Sequence, residues 1–177
     1  MFLTEFFGMF SLSAFAVWGF LMAFFFNAFV YSLGIKRNST LLLSSFVMML
    51  SYSLGDYFFT FLSINAATYL DWVYYDVATV VCLLVCLYFI KTTTPSFLYL
   101  LTGLTFNIAL LISIYIDIYI YENTTHWILW EIYSFGINIS DLLMIVVLIV
   151  DRDFLGLHKL KNKILSYFKS NDTHKVT

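Results

Sequence analysis

Long apolar runs separated by short polar breaks dominate the chain. Each run continues for about twenty residues or more without the alternation of apolar and polar positions that a half-buried β-strand shows, and this length suits a helix that crosses a bilayer. A transmembrane barrel would need segments of about ten residues that alternate in polarity. The pattern predicts a bundle of about five transmembrane helices, at residues 8–34, 40–64, 72–90, 97–121 and 127–150.

The composition supports a membrane location. Of the 177 residues, 62% are hydrophobic and 11% are charged, and the mean hydropathy is +0.88. Soluble domains carry about a quarter of charged residues, so this little charge could not cover the surface of a soluble domain. We therefore predict an all-α integral membrane protein, with a transmembrane helical domain at residues 1–153 and a short cytoplasmic tail at residues 154–177.

Basic residues predict the orientation of the chain. All nine Lys and Arg fall in the first loop, in the third loop or after the last apolar run, at Lys36, Arg37, Lys91 and residues 152–175. The segment before the first run and the second and fourth loops contain none. Because cytoplasmic loops carry an excess of Lys and Arg, the N-terminus is predicted outside and the C-terminus in the cytoplasm. The expected location is the plasma or inner membrane, as a multi-pass protein.

Several carboxyl groups lie inside the predicted spans, and no span contains a Lys or Arg to pair with them. At 1.5 Å per residue, Asp141 lies roughly 20 Å and Asp56 roughly 12 Å from the outer surface. An ionised carboxylate at the bilayer centre costs about 2.5–3.5 kcal/mol. Each deep acid is therefore expected to be protonated, to face water or to bond another helix. The candidate polar cluster consists of Asp56, Asp141, Asn138, Asn27, Asn107 and Asp117.

Two interpretations of this cluster are open. Polar side chains commonly hydrogen-bond across transmembrane helices, which would give the cluster a structural role. Burial can also bring carboxyl groups into the working range of proton or cation exchange. Three shallower acids, Asp71, Asp76 and Glu131, form a predicted acidic rim at the outer face, where they complement helix N-termini. Asp117 lies near a helix C-terminus, where the helix dipole opposes a negative charge.

The tail has the pattern of a basic amphipathic helix. Apolar residues recur at helical spacing from Phe154 onward, and lysines stand between them. Such a helix could lie on anionic lipid, or it could bind a cytoplasmic protein partner. The residues expected to contact lipid or partner are Lys159, Lys161, Lys163, Phe168 and Lys169.

Motifs of enzymes are missing from the sequence. No spacing of His and Cys fits a metal site, and no phosphate-binding loop or nucleophile motif occurs. Cys82 and Cys86 share one helix face about a turn apart, which is poor geometry for a disulfide, so we interpret them as packing residues. We expect no catalytic residue, metal or cofactor and no direct nucleic-acid binding. An intramembrane carboxylate enzyme stays as a minor alternative.

Two functions fit these expectations. The first is a non-enzymatic sensor or scaffold subunit that forms a homo-oligomer and couples to a cytoplasmic partner through its tail. The second is a proton or cation channel or carrier that uses Asp56 and Asp141. Transporters usually break helices with Gly or Pro at their sites, and no predicted span contains Pro, which favours the first. The abundance of Phe, Ile, Tyr, Asn and Lys is typical of AT-rich genes, which are frequent in bacterial phage-defence loci, so a defence-system subunit is one specification of it.

Overall fold

The fold is described here from a computed structural model, which describes residues 9–35, 38–58, 68–90, 92–123, 125–153, 156, 157, 159 and 163. Regular structure in these ranges is helical throughout, as the all-α prediction requires. The helices are α1 (Met9–Ser32), α2 (Ser39–Phe58), α3 (Thr68–Ile90), α4 (Pro95–Tyr115) and α5 (Ile128–Val150). A π-helical segment, Ile116–Ile120, continues α4.

Four helices are long and apolar enough to cross a membrane. Their apolar stretches are Ala14–Ser32, Tyr69–Ile90, Pro95–Ile120 and Ile128–Val150. The described part of α2 contributes a shorter apolar stretch, Ser39–Gly55. Large apolar side chains stand exposed on the outside of the bundle, which suits a surface that faces lipid. The protein is therefore a multi-pass membrane protein.

Two helices begin two or more residues earlier than the sequence pattern predicted. Residue 97 was the predicted start of the fourth span, whereas α4 begins at Pro95, with the Thr94 hydroxyl accepting a hydrogen bond from Phe97 N at 3.2 Å. Proline suits the first helical turn because its missing N–H would have no partner there. Residue 72 was the predicted start of the third span, whereas α3 begins at Thr68 and holds Asp71 in its first turn. A carboxylate there complements the helix dipole.

The five helices pack in a ring that follows the order of the chain. Each helix packs against its sequence neighbours, α5 closes the ring on α1, and α2 also reaches α4. Helices α1 and α5 run parallel. Gly19 lies against Ile145, and further along both helices Asn27 contacts Leu148. Buried apolar residues from all five helices fill the centre, among them Phe20, Met48, Leu83, Leu100, Leu104, Met144 and Leu148.

Glycines bring α4 and α5 close together. A Cβ atom on Gly103 would stand 2.6 Å from Met144 Sδ, and one on Gly136 would stand 2.8 Å from Leu110 Cδ1. Small residues allow such close approach between helices in a membrane, where packing rather than hydrophobicity drives association. This close contact sets the distance across which polar side chains of α4 reach α5.

Candidate functional site

The centre of the bundle holds a hydrogen-bonded group from three helices. Asp141 of α5 accepts two hydrogen bonds on its Oδ1 atom. The Tyr52 hydroxyl of α2 donates one at 2.6 Å, and Asn107 Nδ2 of α4 donates the other at 2.9 Å. These three residues, Tyr52, Asn107 and Asp141, are called the central triad below. Asp141 thus links α2, α4 and α5 at one point.

Helix geometry places Asp141 inside the bundle. It lies near the middle of α5, thirteen residues after Ile128, or about 20 Å along the axis. Asp141 lies on the buried side of α5, where Ser140, Met144 and Leu148 are also buried. Asp141 is 8% exposed and Asn107 is 2% exposed. The carboxyl group is therefore nearly enclosed by protein, near the middle of a helix that is long enough to cross a bilayer.

The central triad does not use all of its hydrogen-bonding capacity. Both bonds to Asp141 end on Oδ1, and Oδ2 has no hydrogen-bond partner among the described residues. Within the same ranges Asn107 Oδ1 is a buried acceptor without a donor. A second carboxyl group, that of Asp76 on α3, lies within electrostatic range of Asp141 and of the Tyr52 hydroxyl. Two carboxyl groups without a basic residue in any of these helices could together hold a proton or a cation.

A cavity of about 170 Å³ adjoins the triad between α1 and α5. Ala16, Asp141 and Ile145, all buried, belong to its lining, and the exposed side chains of Phe15 and Phe135 also line it. The cavity therefore opens toward the outside of the bundle and extends inward to Asp141. Its lining is mainly apolar.

The asparagines of the predicted polar cluster take different positions. Asn107 belongs to the central triad. Asn138 lines the cavity with Asp141, but its Nδ2 donates to Ser134 O of its own helix at 2.6 Å. Asn27 lies further along, where its Nδ2 donates to Leu148 O at 3.1 Å and joins α1 to α5. The cluster is thus divided into one site around Asp141 and one separate tie between helices.

Asp56 and Tyr52 both lie on α2, one helical turn apart. The backbone of Asp56 belongs to α2, and its side chain lies outside the described residues. Tyr52, one helical turn before Asp56, was not among the residues predicted from the sequence. The chain has 13 tyrosines, and a tyrosine inside an apolar run carries no separate signal for a polar contact. Its proximity to Asp141 depends on packing between segments 89 residues apart.

Asp117 lies away from the triad, at the turn between α4 and α5. Its Oδ2 accepts hydrogen bonds from Trp127 Nε1 at 2.8 Å and Trp130 Nε1 at 3.2 Å, and its Oδ1 accepts one from Asn123 Nδ2 at 3.2 Å. These four residues form a turn clasp. Donors of the following segment offset the unfavourable position of a carboxylate at a helix C-terminus. Asp117 therefore fastens the π-helical segment to the start of α5.

The three predicted rim acids have different environments. Asp71 is buried at the start of α3, Asp76 is half-buried and interacts with Asp141, and Glu131 is exposed in the first turn of α5. Asp76 thus belongs with the central triad more than with a surface rim. Of the three, Glu131 has the exposed position that an acidic rim requires.

At the end of the bundle where α5 stops, hydrogen bonds reach into the tail. Ser96 Oγ of α4 contacts the Asp151 carboxylate and Val147 O. The Tyr99 hydroxyl donates to Asp153 Oδ1 at 2.9 Å, and Lys159 N donates to Asp153 Oδ2 at 3.2 Å. We call Ser96, Tyr99, Asp151, Asp153 and Lys159 the tail junction. It connects the first two turns of α4 to the residues that follow α5.

The predicted contact residues of the tail are described only in part. Lys159 and Lys163 are exposed and have helical backbone conformation, as does Leu157. Lys161, Phe168 and Lys169 lie outside the described residues. The prediction that the tail contacts lipid or a partner therefore stays a prediction.

The chemistry of the described residues centres on carboxyl groups. Within the described ranges no group of three or more His, Cys, Asp or Glu could hold a metal ion. Cys82 is exposed, Cys86 is half-buried, and both are free thiols.

No protein-family model, curated protein or solved structure matches the chain. The fold and the site together define a multi-pass helical membrane protein with a polar centre.

Proposed function

We propose that the protein is a non-enzymatic sensor or scaffold subunit of the plasma or inner membrane. In this proposal five helices cross the bilayer with the N-terminus outside, the subunit forms a homo-oligomer, and its tail binds a cytoplasmic protein. The tail junction is the observation that carries the proposal. The Tyr99 hydroxyl and the Lys159 backbone N–H donate to the two different oxygens of the Asp153 carboxylate. A shift of α4 would therefore move the first residues of the tail.

Hydrogen bonds between helices support the scaffold role. Asn27 ties α1 to α5, the Ser51 and Thr79 hydroxyls tie α2 to α3, and Asp141 ties α2 and α4 to α5. Each such contact contributes about 0.6 kcal/mol on average in a membrane, so their number matters more than any single one. A ring fastened at several interfaces suits a subunit that transmits small displacements as a unit.

Site-specific crosslinking in cells tests the partner. A photoreactive amino acid at Lys163, which is exposed on the tail, is expected to form an adduct with one cytoplasmic protein. The same amino acid at Ile112, which is exposed on the apolar outside of α4, is the control for contact with lipid. Adducts with lipid alone from position 163 would contradict the proposal.

A plaque assay with and without the gene and its neighbours tests the phage-defence setting.

Variants of the tail junction test whether the bundle and the tail are coupled. Tyr99→Phe removes the hydroxyl that donates to Asp153 and keeps the buried ring, so the adduct yield from position 163 is expected to change. Tyr88→Phe is a matched control, because Tyr88 is exposed on the outside of α3. An equal yield in both variants would show that the tail acts without the bundle.

A proton or cation channel or carrier is the second candidate. The observation that favours it is the pair of carboxyl groups, Asp76 and Asp141, inside helices that contain no basic residue. Asp141 also keeps one oxygen, Oδ2, without a hydrogen bond to the described residues. Carboxyl groups within a bilayer commonly mark proton or ion paths.

A further inference from the structure

The cavity between α1 and α5 combines a small volume with one buried polar group. Its volume is about 170 Å³, close to the roughly 150 Å³ of an engineered protein cavity that binds benzene. A single six-membered ring would therefore fit. Because the cavity opens toward the outside of the bundle, a molecule dissolved in the lipid could enter without crossing water.

The lining indicates which kind of ring would bind. Phe15 of α1 and Phe135 of α5 stand exposed at the cavity, and aromatic side chains favour edge-to-face or offset contacts with another aromatic ring. Ala16 contributes a small buried side chain, so the space beside it is open to a ligand. These contacts favour an aromatic ring over a flexible acyl chain.

The polar group indicates a hydrogen-bond donor on that ring. Asp141 is more than nine-tenths buried and lines the cavity, and its Oδ1 already accepts from Tyr52 and Asn107. The oxygen left without a partner among the described residues, Oδ2, can accept but cannot donate when ionised. A neutral hydroxyl suits this position, because a charged donor such as an ammonium group is costly within the bilayer.

We propose that this cavity binds a single-ring phenol from the lipid phase, with the ring between Phe15 and Phe135 and the hydroxyl donating to Asp141 Oδ2. The cavity is separate from the tail junction. If the cavity binds no phenol, the crosslinking test of the proposed function is therefore unaffected. It shares Asp141 with the transport alternative, but binding and ion flux are separate measurements.

Binding of 4-fluorophenol to the full chain in phosphatidylcholine nanodiscs tests the proposal, with fluorine NMR as the readout and empty nanodiscs as the baseline for partition into lipid. We expect one saturable site per chain. 4-Fluoroanisole, which has the same ring and no hydroxyl donor, is expected to bind at least tenfold more weakly. Equal affinity for the two compounds would overturn the proposal, since Asp141 would then play no part.

A cavity-filling variant locates the site. Ala16→Leu places three more carbon atoms in the cavity and is expected to abolish saturable binding of 4-fluorophenol. Ala78→Leu adds the same atoms at an exposed position of α3 and is expected to leave binding unchanged. Thermal unfolding of both variants in the same nanodiscs verifies that they are folded. Saturable binding that persists in folded Ala16→Leu, or is missing in the wild type, would contradict the proposal.

Discussion

Asp141 is tolerated in the middle of an apolar helix because other helices supply hydrogen-bond donors to it. Tyr52 and Asn107 both reach its Oδ1, so the carboxyl group has replaced part of the hydration that it would have in water. The same arrangement makes Asp141 the residue on which the two candidate functions differ. A structural acceptor needs an oxygen atom, whereas a proton or cation site needs an ionisable group.

Substitutions at Asp141 test its structural role. Asp141→Asn keeps an acceptor oxygen, so we expect a loss of ~1 kcal/mol or less in the free energy of unfolding, as for other polar contacts between helices. Asp141→Leu leaves Tyr52 and Asn107 without their acceptor and is expected to cost about 1–3 kcal/mol for each buried group left unsatisfied. Unfolding by SDS in mixed micelles measures both variants. Equal losses would show that the hydrogen bonds do not stabilise the bundle.

Substitution of Asp117 tests whether the turn clasp stabilises the protein. Asp117→Leu removes the acceptor of two indole N–H groups, and we expect a lower free energy of unfolding together with a changed near-ultraviolet circular dichroism signal of Trp127 and Trp130. Glu131→Leu removes an exposed acid from the same end of α5 and serves as the matched control. If the two variants have the same free energy of unfolding, the turn clasp contributes nothing to stability.

At the scale of the helices, apolar run length agrees closely with the first and last helices. The predicted first and fifth spans, 8–34 and 127–150, differ from Met9–Ser32 and Ile128–Val150 by at most two residues at either end. The start of α4 differed because Pro95 was interpreted as part of a loop, although proline also suits a first helical turn. The π-helical segment could not be predicted, because it accompanies contacts between Asp117 and residues of the next helix.

The candidate site was predictable only in part, because contacts between different helices do not show in the sequence. Charge within an apolar run identified Asp141, and a polar amide within another run identified Asn107. Their pairing, and the third partner Tyr52, depend on how α2, α4 and α5 pack. Asp76 was assigned to the outer rim from its distance along the chain, whereas the face of α3 that turns inward brings it toward Asp141. A single sequence does not show which face of a helix turns toward the other helices.

Deletion of the tail tests whether the tail is the surface that binds the cytoplasmic partner. A chain that ends at Asp153 keeps all five helices and the Tyr99–Asp153 hydrogen bond, so it is expected to insert and to show an unchanged thermal midpoint in detergent. It is also expected to lose the protein that position 163 crosslinks, because the tail is the proposed binding surface. Co-purification with the full and shortened chains measures this. A partner that stays bound to the shortened chain would exclude docking on the tail.

For the whole molecule, orientation and the number of crossings follow from one labelling experiment. Single cysteines at positions 36, 91 and 123, in a background with Cys82 and Cys86 replaced by alanine, report the side of each loop. We expect positions 36 and 91 to react from the cytoplasm and position 123 from outside, because basic residues mark the cytoplasmic loops. If α2, whose described apolar stretch is Ser39–Gly55, entered the bilayer without crossing it, position 91 would react from outside.

Ion flux separates the two functions of the whole molecule. A scaffold holds Asp141 for its hydrogen bonds, so wild-type proteoliposomes are expected to show no proton or cation flux under any imposed gradient. A carrier would instead conduct in the wild type and lose flux in Asp141→Asn and Asp56→Asn, while expression and oligomeric state stay normal. Asn138→Ala is a suitable control, because Asn138 lines the same cavity but donates to its own helix. Flux that Asp141→Asn abolishes and Asn138→Ala leaves intact would replace the scaffold proposal with transport, since Asp141→Asn removes the ionisable group and keeps the shape of the side chain.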